Sequence, residues 1–157
     1  MTKLMLDMLS GARELPSDEE NRREQNKSIT RAYFHAYESG DMNAVWAFLD
    51  SKHIYYAPGG SEPMDLAGRK HDEMFLFRAF SNIRTTVEDQ IAEGDRVACR
   101  VTMYADHIGE YQGIPPTRTR TKFVFIDISR ISEGRIVQEW AEFDMGSILQ
   151  QLQHKPA

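Results

Sequence analysis

The sequence predicts an α+β fold, with helices first and a run of antiparallel strands after them. Three observations carry this. Apolar residues recur at helical spacing from Ser17 to about Gly40. From Thr86 onward the pattern switches to period two. Turn residues then punctuate the strands at Gly94-Asp95, in the Gly113 to Thr117 loop and at Glu133-Gly134.

The elements follow in order. Leu4, Met5, Met8, Leu9 and Ala12 form one helical stripe, which makes residues 1–16 a helical extension ahead of the main domain. Pro16 stops that segment, and Ser17 with Glu20 three residues on is a capping box opening the next helix. This helix carries Ile29, Tyr33, Phe34 and Tyr37 and halts near Gly40-Asp41. Met42 to Leu49 is a second helical stretch, and His53 to Ala57 is a short strand ended by Pro58-Gly-Gly60. Gly68 precedes a helix expected to turn Met74, Phe75, Phe77, Arg78 and Phe80 inward. Four strands are expected at Thr86–Ala92, Arg96–Asp106, Thr121–Ile131 and Arg135–Phe143, and Asp144 reads as the N-cap of a closing helix. Phe34, Trp46, Phe80, Val97, Val101 and Ile148 are expected in one core. The domain spans 17–153, with a tail at 154–157.

Bulk properties narrow the function. A chain of 157 residues with 41% hydrophobic and 27% charged residues is one ordinary globular domain. A net charge of −5 gives no reason to expect nucleic acid or an anionic membrane as partner. No apolar run approaches the roughly 20 residues of a membrane span, and no secretory signal is evident. Cys99 alone cannot form an internal disulfide and reads as a small buried residue. A cytoplasmic protein is expected.

Chemistry is sought on the strand faces. One face of Thr121–Ile131 carries Phe123, Phe125, Asp127 and Ser129, and the other Val124, Ile126, Ile128 and Arg130. On Arg135–Phe143 the two sets are Val137, Glu139, Ala141, Phe143 and Ile136, Gln138, Trp140, Glu142. Periodicity alone leaves the inward face open.

Three motifs narrow the choice: Ala105-Asp-His-Ile-Gly-Glu-Tyr-Gln-Gly-Ile-Pro-Pro-Thr117, Arg130-Ile-Ser-Glu-Gly-Arg-Ile-Val137 and Asp144-Met-Gly-Ser-Ile-Leu-Gln-Gln-Leu152. Together they resemble the SnoaL-like polyketide cyclase branch of the nuclear transport factor 2-like superfamily, over about Ile29 to Leu152. The resemblance implies a conical, strongly curved antiparallel sheet with N-terminal helices packed on it, enclosing a pocket. In those cyclases an aspartate on the last strand is the general acid/base and a histidine on the preceding strand faces the cavity. Aligned through Gly134 and Asp144, these positions fall on Ala141 and Asp127, so the chain departs from the cyclases at their catalytic residue.

Asp127 and Glu139 remain as candidate catalytic carboxylates. In an apolar cavity, desolvation and mutual repulsion would raise at least one of them toward the range useful for proton transfer. The alternative is that one points outward or pairs with an arginine such as Arg100. His107 matches the family's strand-end histidine and either contacts a substrate oxygen or fixes the following turn. Tyr56 is a candidate donor, Arg78 a candidate anion clamp, and Tyr33, Phe125 and Ala141 candidate substrate contacts. Asp106, His107 and Glu110 are metal-ligand types on alternating sides, so no metal is expected, and no cofactor is called for.

The resulting expectation is a cofactor-free acid/base enzyme for a small apolar, aromatic or polycyclic hydroxy or carbonyl compound. Cyclase, isomerase, dehydratase or retro-aldol-type lyase chemistry would all use a carboxylate and an oxyanion donor. Epoxide hydrolysis by an Asp-Arg-Asp set is disfavoured, because Phe125 stands where the arginine would be. The alternative is a non-catalytic ligand-binding or interaction module. A homodimer or higher homo-oligomer through the outer sheet face, with Val124, Ile126, Ile128, Ile136 and Trp140 exposed, is expected in either case.

Overall fold

In the computed structural model, residues 16–60 and 62–153 are described, so the expected N-terminal stripe and the tail lie outside the described residues. Helix α1 (Asp18–Ala36) opens with the expected capping box: Ser17 accepts from the Glu20 amide, and the Glu20 side chain accepts from Ser17. Asp18, Glu19 and Glu20 in its first turn complement the helix dipole. Its inner stripe, Asn26, Thr30, Tyr33 and Phe34, is buried. One 3₁₀ turn (Tyr37–Ser39) follows, closed by Gly40 at φ 70°, a left-handed conformation that glycine adopts without a Cβ penalty.

Helix α2 is shorter than expected, Met42–Trp46, because Leu49 already begins strand β1 (Leu49–Tyr56). Backbone pairing of Leu49 with Ile136 overrides the helical pattern there. A two-residue strand, β2 (Met64–Asp65), leads into helix α3 (Leu66–Ala79). Asp65 caps α3 by accepting from the Gly68 amide at 2.8 Å, so Gly68 lies inside the first turn rather than before the helix. The helix is also rotated relative to expectation: Glu73 and Ala79 are buried, while Phe75 is 51% exposed and Arg78 is exposed.

Strands β3 (Phe80–Glu93), β4 (Arg96–His107), β5 (Arg120–Ser132) and β6 (Arg135–Phe143) complete a curved, unclosed sheet in the order β2-β1-β6-β5-β4-β3. All neighbours are antiparallel except β1 beside β6, which run parallel. β3 is six residues longer at its start than expected and breaks register between Ser81 and Arg84, where Asn82 takes φ 50°. Such bulges bend a strand and tighten its twist. Helix α4 (Met145–Gln153) closes the chain, with the Asp144 carboxylate accepting from the Ser147 amide at 3.1 Å.

The core lies between the concave sheet face and the helices. Val97, Cys99, Val101, Met103 and Ala105 occupy alternate positions of β4 and meet Phe34, Phe80, Ile148 and Leu152. Trp46 is only partly buried at its edge. No helix among the described residues is long and apolar enough to cross a membrane.

Candidate active site

Curvature leaves a cavity of about 730 Å³ between the sheet and α1, α3 and the β4–β5 loop. Phe34, Leu76, Met103, Phe123, Phe125 and Phe143 make much of its apolar wall. Its polar lining includes Tyr37, Tyr55, Arg69, Glu73 and Glu139.

Glu139 reaches this cavity because of a register shift. β5 and β6 pair Arg130 with Gln138 but Ile131 with Ile136, leaving Val137 as the extra residue of a bulge. Ile136 therefore points inward (0% exposed), and alternation resumes beyond the bulge with Glu139, Ala141 and Phe143 inward. Ile136 was expected on the outer face; the bulge is the reason it is not there.

The Glu139 carboxylate, 2% exposed, is the hub of a buried polar network. Arg69 Nη2 lies 3.3 Å from its Oε1, and the Tyr33 hydroxyl donates to it at 3.3 Å. Arg69 also pairs with Glu73 at 3.0 Å and stacks its guanidinium 4.0 Å above the Tyr55 ring. Glu73 accepts in addition from Trp46 Nε1 at 2.7 Å and from the Tyr37 hydroxyl. Charge-assisted bonds of this kind are what make an ionised carboxylate tolerable in a core. Burial, and then the neighbouring carboxylates, hold the Tyr33 and Tyr37 hydroxyls protonated, well above the usual phenol range.

Asp127 is fully buried behind the cavity wall, and its Oδ1 accepts from Ser129 Oγ at 2.7 Å. Burial first, and the Glu139 charge second, push it well above the usual carboxylate range, which favours its protonated form. His53, also fully buried, lies on the other side. Its Nδ1 is 3.0 Å from the Ile136 carbonyl, and its Nε2 is 3.6 Å from Glu139 Oε2.

The structure thus places Glu139, Phe125 and Ala141 on the cavity wall. Tyr33, expected as a substrate contact, is fully buried outside the lining and reaches Glu139 from behind, and Asp127 is buried outside the lining as well, bonded to Ser129. Three further expected residues stand elsewhere. Tyr56 faces outward and stacks on Trp140 at 5.0 Å; alternation along β1 gives the cavity to Tyr55 instead. Arg78, on the solvent side of α3, borders a separate groove formed with Gly40, Met42 and Asn82. His107 is buried against Phe80 and outside the cavity lining. Its Nδ1 accepts from the Thr117 amide at 3.2 Å, so it pins the β4–β5 loop. Arg100, the alternative partner considered for the carboxylates, pairs with Asp89 at the surface.

Arg69, Glu73 and His53 were missed by sequence reasoning. The only trace of the first two is their i,i+4 spacing, which ordinarily marks a solvent-facing ion pair. Among the described residues, no group of three His, Cys, Asp or Glu side chains converges as a metal site.

This fold and cavity define an α+β cone with an acidic, arginine-braced pocket. The chain belongs to the SnoaL-like polyketide cyclase family, whose profile matches residues 27–152. Among solved structures it is similar to AclR of Streptomyces galilaeus, a candidate hydroxylase, at 24% identity, covering 85% of this chain and 99% of that one with a TM-score of 0.77. IdmH of Streptomyces antibioticus, a candidate polyketide cyclase, is 28% identical, with 83% and 99% covered and a TM-score of 0.72. A SnoaL-like protein of Jannaschia sp. CCS1 shares the fold at 16% identity, with 90% and 100% covered and a TM-score of 0.74. A comparison with curated protein sequences finds no match.

Proposed function

We propose that the protein is a cofactor-free acid/base enzyme that removes a proton from a small apolar hydroxy or carbonyl compound, in a cyclisation, isomerisation, dehydration or retro-aldol-type reaction. One observation carries this reading: the Glu139 carboxylate opens onto an apolar cavity beside the Arg69 cation. The acid/base aspartate of the cyclases corresponds to Ala141, and Glu139 stands one inward position earlier on the same strand. Glu139 would accept the proton. Arg69 and the Tyr55 hydroxyl would hold the developing oxyanion. Burial keeps the Tyr55 hydroxyl protonated, and it makes no hydrogen bond among the described residues. Asp127, protonated behind the wall, would limit the negative charge beside Glu139.

A general probe tests this without the natural substrate. 5-Nitrobenzisoxazole loses its ring C–H to a carboxylate base and opens to a coloured phenolate. Glu139→Gln should fold normally and cut turnover by roughly 10²-fold or more, the usual scale of acid/base loss. A wild-type rate in that variant would move proton abstraction to another group, and no turnover above background in the wild type would point instead to a ligand-binding module. A homodimer through the outer sheet face is part of the proposal. Val124, Ile126 and Ile128 are 48%, 44% and 38% exposed there, beside the Tyr56–Trp140 stack.

A further inference from the structure

His53 sits behind the cavity with a geometry that packing alone does not require. It is fully buried, and its Nδ1 lies 3.0 Å from the Ile136 carbonyl, which can only accept, so Nδ1 carries the ring hydrogen. In a neutral ring the lone pair is then on Nε2. That atom makes no hydrogen bond and lies 3.6 Å from Glu139 Oε2. Oε1 accepts from Arg69, and the Tyr33 hydroxyl lies 3.3 Å from both oxygens, so it can donate to Oε1 when Oε2 carries a proton. With Glu139 ionised, two lone pairs face each other across this gap; a proton on Oε2 would turn the repulsion into a hydrogen bond.

We propose that His53 is a positioning residue: a neutral imidazole whose Nε2 accepts a hydrogen bond from Glu139 once Glu139 has taken the substrate's proton. The inference rests on Glu139 being the base. In that step a substrate C–H bond breaks, its electron pair stays on the substrate as an enolate beside Arg69, and the proton bonds to Oε2. His53 thereby stabilises the protonated form of the base, and hydrogen bonding to a neutral carboxyl disfavours its charged form. Glu139 on β6 and Arg69 and Glu73 on α3 are the charged groups acting on His53. The two carboxylates favour imidazolium, while burial, the largest influence, and Arg69 oppose it.

The sign of the effect makes the proposal testable. ¹⁵N NMR of the wild-type protein should show one N–H and one bare nitrogen on His53 at neutral pH, and the same pair at pH values where an ordinary histidine is already protonated. In Glu139→Gln the new amide can donate to Nε2, and the bare-nitrogen resonance should move to its hydrogen-bonded position. His53→Asn keeps a donor for the Ile136 carbonyl and deletes Nε2. With 5-nitrobenzisoxazole, its acid limb of turnover should move to lower pH by roughly one unit, the scale of one neutral hydrogen bond. An imidazolium signal at neutral pH, or an unmoved acid limb, would overturn the role of His53 and leave any loss of activity in Glu139→Gln standing. Full activity in Glu139→Gln would instead overturn the base assignment and leave the nitrogen spectra standing.

Discussion

Arg69 shows how one residue can hold a buried site together. Its guanidinium serves Glu73 and Glu139 at once, with Tyr55 beneath it. Replacing it with methionine would preserve bulk but leave two carboxylates unpaired in the core. Removing one partner of a buried pair typically costs 3–5 kcal/mol, so Arg69→Met should lose about that much stability in urea unfolding. Asp127 yields a pH signature. Its folded-state value is raised well above the usual carboxylate range, so its protonated form favours folding. The associated stability is present below the unfolded value and is lost as pH rises through the folded one. Asp127→Asn has no proton to lose. Its melting temperature relative to wild type should therefore climb as pH increases above about 4, and a pH-independent difference would show that Asp127 is not raised in the folded state.

At the scale of elements, two local irregularities decide where the site lies. The extra residue at Val137 turns both Ile136 and Glu139 inward, a result no strict alternation along β6 would produce. The β4–β5 loop reaches the cavity because Ile108 and Gly109 both donate to the Ala79 carbonyl, at 2.7 and 3.0 Å. A Cβ on Gly109 would come within 2.4 Å of the Arg78 carbonyl oxygen, which is backbone and cannot rotate away. Gly109→Ala should therefore cost roughly 1–3 kcal/mol by overpacking and loosen Glu110 to Gly113 on the cavity wall. Thermal melts and hydrogen exchange of that loop would show it; an unchanged melting temperature would mean that the loop and α3 shift apart freely. Helix α3 was legible as a helix but not in its rotation. Its apolar residues surround it, and the stripe that faces inward mixes Arg69 and Glu73 with Leu76 and Ala79, which a hydrophobic pattern cannot reveal.

For the whole molecule, the exposed Val124, Ile126 and Ile128 stripe is the feature that asks for a partner. If it is the proposed dimer contact, Ile126→Lys should convert a dimer in sedimentation to an 18.1 kDa monomer without loss of fold. A wild-type monomer at micromolar concentration would overturn the dimer. The sequence by itself determined the order of elements, the capping box at Ser17, the turns at Gly94 and Gly134, the N-cap at Asp144 and membership in a conical α+β family. These are local matters, set by period, cap chemistry and backbone preference over a few residues. Only the tertiary structure decided which tyrosine of the Tyr55-Tyr56 pair faces the cavity, that Arg78 and His107 stand outside it, and that Arg69, Glu73 and His53 belong to its network. Those outcomes depend on how helix rotation, a strand bulge and the parallel pairing of β1 with β6 bring residues from opposite ends of the chain together. Buried charges are settled by their partners, and partners far apart in sequence leave no periodic trace.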